Sequence, residues 1–221
     1  MLKHLYPQIN WNKINYVGFD LDGTLYDESE FISQAYSEIS KYLSQETGVP
    51  KDIVYSSIFS QWIIHGSSYN MIFDEFLSLN GVDLVKRKKI VKSALLIYRS
   101  FDPVIQINPR VKELLNFFSK NYSIFLVTDG NSELQEKKIK SLSLNEWFSQ
   151  NNIGITSKYN SDLAKPSIDI VGKIELFKED INPSDVVFFG DRDCDALFAR
   201  NAGFNFVHVK NMINLKFEST Q

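Results

Sequence analysis

The chain has 221 residues, with 24 Lys plus Arg against 27 Asp plus Glu and a formal net charge of −3. That balance excludes the broad basic footprint of a dedicated nucleic-acid binder, and 43% hydrophobic against 23% charged residues excludes wholesale disorder. The single cysteine, Cys194, excludes an intrachain disulfide and a cysteine metal cluster. Nothing approaches the roughly 18 consecutive apolar residues of a membrane helix, and residues 1–23 hold no unbroken apolar h-region. Neither a membrane span nor a secretory leader is therefore expected, and the reduced cytoplasm is the expected location. At roughly 100–200 residues per domain, the length fits one large domain or one domain with a modest insertion.

Residues 1–14 mix polar and aromatic types and carry little signal. Tyr16-Val17-Gly18-Phe19 reads as a short buried strand that runs into Asp20-Leu21-Asp22-Gly23-Thr24. From about Ser29 to Ser100 the pattern is almost wholly helical. Phe31, Ala35, Ile39 and Tyr42 share one helical face, and Gly48 with Pro50 ends that helix. A second helix is expected over Ile53–Ile64 and a break at His65-Gly66-Ser67-Ser68. The third is expected over Tyr69–Leu79, ending in the cap signature Asn80-Gly81. The fourth carries the stripe Ile90, Val91, Ala94, Leu95 and Tyr98. The basic run Lys86-Arg87-Lys88-Lys89 reads as a solvated helix face rather than a phosphate-attracting patch. The break around Trp62, His65, Gly66 and Tyr69 reads as a plain helix–helix turn in preference to a substrate-touching loop.

After Pro103 strands and helices alternate. Asn108-Pro109 is a cap residue followed by a first-turn proline, opening a helix with Val111, Leu114, Leu115 and Phe118 on one face. Ser123–Val127 reads as a buried strand, Ser132–Ser141 as a polar helix, and Ile153–Ile155 as a weak strand. A helix is expected over Ile168–Phe177, a strong buried strand over Val186–Phe189, a helix over Ala196–Ala202 stopped by Gly203, and a last strand over Phe206–Val209. No assignment is made for residues 211–221, which could be a frayed end or a short docking helix. Buried strands alternating with helices imply an α/β fold, a doubly wound parallel sheet covered on both faces. The helical block lies outside that alternation and reads as an inserted cap.

In such sheets ligands gather at the carboxyl ends of the strands, and there the informative residues fall. Asp20 and Asp22 follow the first strand, Thr128 the second strong one, and Asp191, Asp193 and Asp195 the Val186–Phe189 strand, with Lys165 between. Taken singly, each has an ordinary reading: a turn, a strand-end hydroxyl, a surface lysine, a helix N-cap at Asp195. Taken together, carboxylates at one site repel unless a cation joins them, and an all-oxygen set without His or Cys suits Mg²⁺. Lys165, the Thr128 hydroxyl and the backbone N–H groups of Asp129 and Gly130 could neutralise a dianionic phosphoryl group. One aspartate could attack phosphorus, and the other could protonate the leaving oxygen and then activate water. His4, His65 and His208 are scattered and none reads as a ligand; Cys194, among carboxylates, reads as a poor nucleophile.

The segment Phe19-Asp20-Leu21-Asp22-Gly23-Thr24-Leu25 resembles the first signature of the haloacid dehalogenase (HAD) superfamily, most of whose members are phosphatases. Leu126-Val127-Thr128-Asp129-Gly130-Asn131 resembles its second motif, Lys165-Pro166 its third, and Phe189-Gly190-Asp191-Arg192-Asp193-Cys194-Asp195, running on to Ala202-Gly203, its fourth. The helical insertion resembles the cap of the phosphoglycolate-phosphatase and β-phosphoglucomutase branch. The resemblance implies a Rossmann-like core over 1–29 and 100–221 and a cap over 30–99. It implies that Asp20 is the nucleophile and becomes an aspartyl phosphate. Asp22 is the general acid/base, and Thr128 and Lys165 hold phosphoryl oxygens. Asp20, Asp22 (through its backbone carbonyl) and Asp191 are Mg²⁺ ligands, and Asp195 is an outer acid supporting the metal or Lys165. Asp193 matches no family acid. Asp129 stands where Asn is frequent and is expected to contribute its backbone N–H.

The expected activity is thus Mg²⁺-dependent hydrolysis of a small phosphate monoester, the partner being a small phosphorylated metabolite and neither nucleic acid nor membrane. A phosphomutase of the β-phosphoglucomutase type uses the same acid pair. A dehalogenase is disfavoured by Asp22. A phosphonatase needs a cap lysine, for which Lys41, Lys51 and Lys92 are available but none is marked out. A non-catalytic binding protein with this fold is the rival from another class.

Overall fold

The computed structural model describes residues 2–159 and 161–209; the terminal stretch 211–221 left unassigned above lies outside them. In chain order the main elements are α1 (Leu2–Leu5), β1 (Tyr16–Phe19), α2 (Glu28–Thr47), α3 (Lys51–His65), α4 (Ile72–Leu79), α5 (Leu84–Ser100) and α6 (Pro109–Asn121). They continue with β2 (Ser123–Thr128), α7 (Ser132–Ser141), β3 (Ile153–Ile155), β4 (Val186–Gly190), α8 (Asp193–Ala202) and β5 (Asn205–His208). The five strands form one parallel sheet in the order β3-β2-β1-β4-β5. The order reverses beside β1, which puts the ends of β1, β2 and β4 next to one another at the carboxyl edge.

The strands are apolar runs because both sheet faces are buried. On one face Phe19 stacks on Phe189 with centroids 5.3 Å apart and meets Phe118 and Phe148 edge-on. The N-terminal segment, silent as sequence, closes this layer: Tyr6, Ile9, Trp11 and Ile14 are buried, and Trp11 stacks on Phe118. On the other face Phe125 and Phe188 pack with Ile170, Ile174 and Phe198. Gly18 lies between them in register, paired with Phe125 on one side and Phe188 on the other. A Cβ there would come within 2.6 Å of both rings, so the two aromatic side chains close over a strand that has no side chain of its own.

The cap expected at Asn108 forms, and Asn131 caps α7 in the same way. Asn108 accepts from Arg110 N at 2.9 Å and Asn131 from Leu134 N at 3.1 Å. Three expectations change. No helix spans Ile168–Phe177; two short 3-10 turns, Val171–Lys173 and Glu175–Lys178, replace it, with Ile174 extended between them. Ile170 and Ile174 are buried as a helix would bury them, but Gly172 between them disfavours a continuous helix. The helix expected from Ala196 begins at Asp193. Its Asp195 is the third helical residue and reaches back to Arg192 N at 3.0 Å, as in a capping box, rather than being the N-cap. The helix expected from Tyr69 begins at Ile72, because Tyr69 packs on the His65 ring and its hydroxyl bonds Glu75.

Glu28–Val104 forms one compact unit and the chain on either side of it the other. In the helical unit Phe31 meets Tyr98 and Phe101, and Tyr36 meets Phe73. Arg87 is not purely solvated: its Nε lies 2.8 Å from Asp74 Oδ1, tying α5 to α4. The α3–α4 break is held by a chain from Trp62 Nε1 to Ser67 Oγ at 2.8 Å and from Ser67 Oγ to Glu28 Oε1 at 2.6 Å. Among the described residues no helix is long and apolar enough to cross a membrane.

Gly18→Ala forces Phe125 and Phe188 apart and is expected to destabilise the protein by about 1–3 kcal/mol, with Gly18→Val worse. Urea unfolding of the variants checks this, and an unchanged midpoint for Gly18→Ala would refute the close approach.

Candidate active site

Asp20 leaves the end of β1 with its N–H on Phe189 O at 2.8 Å, so its backbone is still held by β4. The side chain is fully buried. Lys165 Nζ lies 2.5 Å from Asp20 Oδ1 and 2.5 Å from Asp195 Oδ1, with all three side chains shut off from solvent. Asp195 is thus brought to Lys165 by the first turn of α8. Asp191, at the end of β4, completes the group: carboxylate oxygens of Asp20, Asp191 and Asp195 all lie within 4.8 Å of one another. Gly23 makes room for this, with φ of 75° and no Cβ to collide with the Asp191 carboxylate. Asp193 is exposed in the first turn of α8, where a negative charge complements the helix dipole.

The Lys165 loop is anchored from below. Asp129 Oδ1 accepts from Lys165 N at 3.1 Å and from Thr156 Oγ1 at 3.0 Å. Asp129 therefore contributes its carboxylate as well as its place in the turn after β2, which the sequence reading did not anticipate. The Lys165–Pro166 bond is cis, and Asn201 Nδ2 donates to Pro166 O at 3.1 Å. Thr128 is buried at the end of β2, and Gly130 follows with φ of 113°.

Asp22 occupies a different environment. Lys138 Nζ lies 2.6 Å from its Oδ1, Gln135 Nε2 2.8 Å from its Oδ2, and the Tyr26 hydroxyl also donates to it. Gln135 Nε2 further lies 2.8 Å from Thr128 Oγ1 and 2.5 Å from Asp129 O. Gln135 and Lys138 were missed as site residues because α7 reads as a polar helix. The available signal was that Leu134 and Ile139 define its buried face, and Gln135 and Lys138 fall on that same face.

The two acids of the first motif are thereby pushed apart. Burial, the largest influence, raises Asp20 to about 8; Lys165 pulls it down and Asp195 pushes it further up. Burial raises Asp22 too, but Lys138 and the bonds from Gln135 and Tyr26 outweigh it and hold that carboxyl below its ordinary value. Burial also raises Asp191. For Lys165, burial disfavours the ammonium, yet Asp20, Asp195 and Asp129 overcome it and the pKa rises. Asp20 and Asp195 share one fully buried ammonium, and the third carboxylate, Asp191, has Arg192 Nε at a distant 3.8 Å from its Oδ1, an oxygen buried without a hydrogen-bond partner. This excess of hard, negative oxygen fits a divalent cation such as Mg²⁺.

A parallel sheet with buried acids and a lysine at its carboxyl edge defines an α/β enzyme site. The family model described as haloacid dehalogenase-like hydrolase matches residues 17–209. The chain belongs to this family and is a hydrolase of HAD type. A protein named glyceraldehyde 3-phosphate phosphatase from Pyrococcus furiosus is 27% identical over 202 residues, covering 90% of this chain and 81% of its own. Its counterpart of the same name from Methanocaldococcus jannaschii is 26% identical over 199 residues, covering 86% and 82%. The fold matches that of a HAD-superfamily hydrolase of subfamily IA from Geobacter sulfurreducens. That match has a TM-score of 0.66 and 22% identity, covering 89% of this chain and 87% of that one.

Removing the buried ammonium with Lys165→Met leaves Asp20 and Asp195 unpaired and is expected to cost about 3–5 kcal/mol. Adding Asp195→Asn to it should recover part of that loss. Urea unfolding in chelator at neutral pH tests this; a double variant no more stable than Lys165→Met would contradict the shared-ammonium account.

Proposed function

We propose that the protein is a Mg²⁺-dependent phosphatase of small phosphate monoesters, working through an aspartyl-phosphate on Asp20. The observation that carries this reading is the buried triad of Asp20, Lys165 and Asp195 beside Thr128 and Asp191, in a chain of this family. Asp20 and Asp191 through their carboxylates and Asp22 through its backbone carbonyl would hold the cation, which when bound supplies positive charge against the phosphoryl oxygens.

The Asp20 carboxylate oxygen attacks phosphorus and the ester oxygen leaves with the bonding pair. Asp22 gives that oxygen a proton, and takes one back from the water that cleaves the aspartyl phosphate. Lys165, the Thr128 hydroxyl and the amides of Asp129 and Gly130 receive the phosphoryl oxygens. Asp195 keeps Lys165 in place. The other unit, Glu28–Val104, carries none of these groups, and we assign it the choice of substrate, the role of a cap. The names of the curated relatives support starting with triose phosphates, and the expected site of action is the cytoplasm.

Phosphate release from a panel of monoesters, with Mg²⁺, with chelator and with Asp20→Asn, tests the proposal. Release that needs Mg²⁺ and vanishes in Asp20→Asn is expected, and no release from any compound would sink the reading.

The cation should also stabilise the fold by mass action. Asp20 binds its proton more tightly folded than unfolded, so that contribution is full below its ordinary pKa of 3.8 and is lost as pH rises towards about 8. Mg²⁺ competes with that proton, so the rise in Tm on adding Mg²⁺ should be larger at pH 8.5 than at pH 6. A Mg²⁺ effect that shrinks with pH in thermal unfolding would count against a site at Asp20.

A further inference from the structure

We propose that Gln135 and Lys138, one turn apart on α7, are positioning residues for proton transfer: they fix the Asp22 carboxylate, and Gln135 ties it to the Thr128 hydroxyl. This rests on Asp22 being the general acid/base. Lys138 and Gln135 take opposite oxygens of Asp22, at 2.6 and 2.8 Å. With the Tyr26 hydroxyl also on Oδ1, rotation of the carboxylate about its own axis breaks bonds on both oxygens. Asp22, Gln135 and Lys138 are 6%, 2% and 2% exposed, so water does not replace what is broken.

Gln135 links the two motifs. Its amide nitrogen has two hydrogens and faces three acceptors: Asp22 Oδ2, Thr128 Oγ1 and Asp129 O. A flipped amide would set its oxygen against a carboxylate and a carbonyl, so this orientation is the one the surroundings allow. Thr128 Oγ1 accepts from Gln135 at 2.8 Å and its own proton makes only a long contact, 3.4 Å, to Asp129 O, so that proton can be turned to a phosphoryl oxygen at little cost. The helix that carries both residues is locked to the second motif, because its cap, Asn131, follows directly on Thr128-Asp129-Gly130.

The arrangement is hard to explain as a stability device. A helix face that includes Leu134 and Ile139 would gain from apolar neighbours, yet it buries a lysine and a glutamine. Gln135 Oε1 is buried without a hydrogen-bond partner, which costs stability that nothing in the packing returns. The gain is a fixed direction for the acid that must meet the leaving oxygen.

The test compares Mg²⁺-dependent phosphate release from an alkyl monoester and from p-nitrophenyl phosphate, whose leaving group departs as a stable anion and needs little help from an acid. Lys138→Met and Gln135→Leu are expected to lower kcat on the alkyl ester about 10- to 100-fold, the scale of a small misplacement of a catalytic group. KM should change little and the loss on the aryl ester should be clearly smaller. Combined with Asp22→Asn, neither substitution should slow the enzyme further. Equal losses on both esters, or losses that multiply with that of Asp22→Asn, overturn the proposal. If Lys138→Met does not fold by circular dichroism, Gln135→Leu and its double variant decide by the same criteria. Should Asp22→Asn itself retain full activity on the alkyl ester, the role given to Asp22 fails and the proposal with it. A normal defect in Asp22→Asn with multiplying losses removes only the proposal.

Discussion

The interaction on which the rest depends is the Lys165 ammonium held between Asp20 and Asp195 at 2.5 Å on each side, all three sealed from water. Each buried ion costs several kcal/mol of hydration, and only close, well-bonded partners recover it. One lysine placed on two acids therefore dictates much of the local architecture. β1 and β4 must be neighbours so that Asp20 and the start of α8 meet. The loop bearing Lys165 must be pinned, which Asp129, Thr156 and Asn201 do. Gly23 must lack a side chain so that Asp191 can join the group.

The same cluster has a surplus of negative charge, and this explains its leaning towards a cation. Asp20 and Asp22 are two residues apart, yet one is raised and the other lowered. Divergent environments are how two identical carboxyls take different roles. Here the sign is opposite to what attack by Asp20 and proton donation by Asp22 require. A cation at the Asp20 end would reverse the first shift, because a bound divalent ion is the largest charge in its surroundings. The second shift comes from Lys138, Gln135 and Tyr26, the groups that hold the Asp22 carboxylate, so the proton that Asp22 gives to the leaving oxygen must be taken up against their pull.

Much of this was legible. The apolar runs of β1, β2 and β4 and the residues following them indicated a parallel sheet with acids at its carboxyl edge, because a strand buried on both faces has an unmistakable composition. Asn108 and Asn131 act locally through their own side chains, so their caps could be read from neighbouring residues. What was not legible depended on distant partners. Trp11 matters because Phe118 lies beneath it, more than a hundred positions away. Ile170 and Ile174 have helical spacing, but their burial against Phe125 and Val127 is satisfied by two short turns. Gln135 and Lys138 were not singled out, because in a polar helix such residues are ordinarily exposed.

The burial of those two residues shows what the site costs the fold. Replacing a buried ion pair by apolar side chains is often neutral or stabilising, so stability alone does not account for the pairs Lys138–Asp22 and Lys165–Asp20. The aromatic layers around Phe19, Phe118 and Phe189 on one face, and Phe125, Phe188 and Phe198 on the other, provide the apolar burial that lets the sheet carry two ionic clusters at one edge. The close approach of both rings over Gly18 belongs to the same economy: β1 gives up a side chain at its centre so that its neighbours can pack densely beneath the strand that delivers Asp20. Packing under the site and charge within it are therefore coupled along four residues, Tyr16–Phe19, and the position of Asp20 is only as firm as the aromatic core that holds that strand.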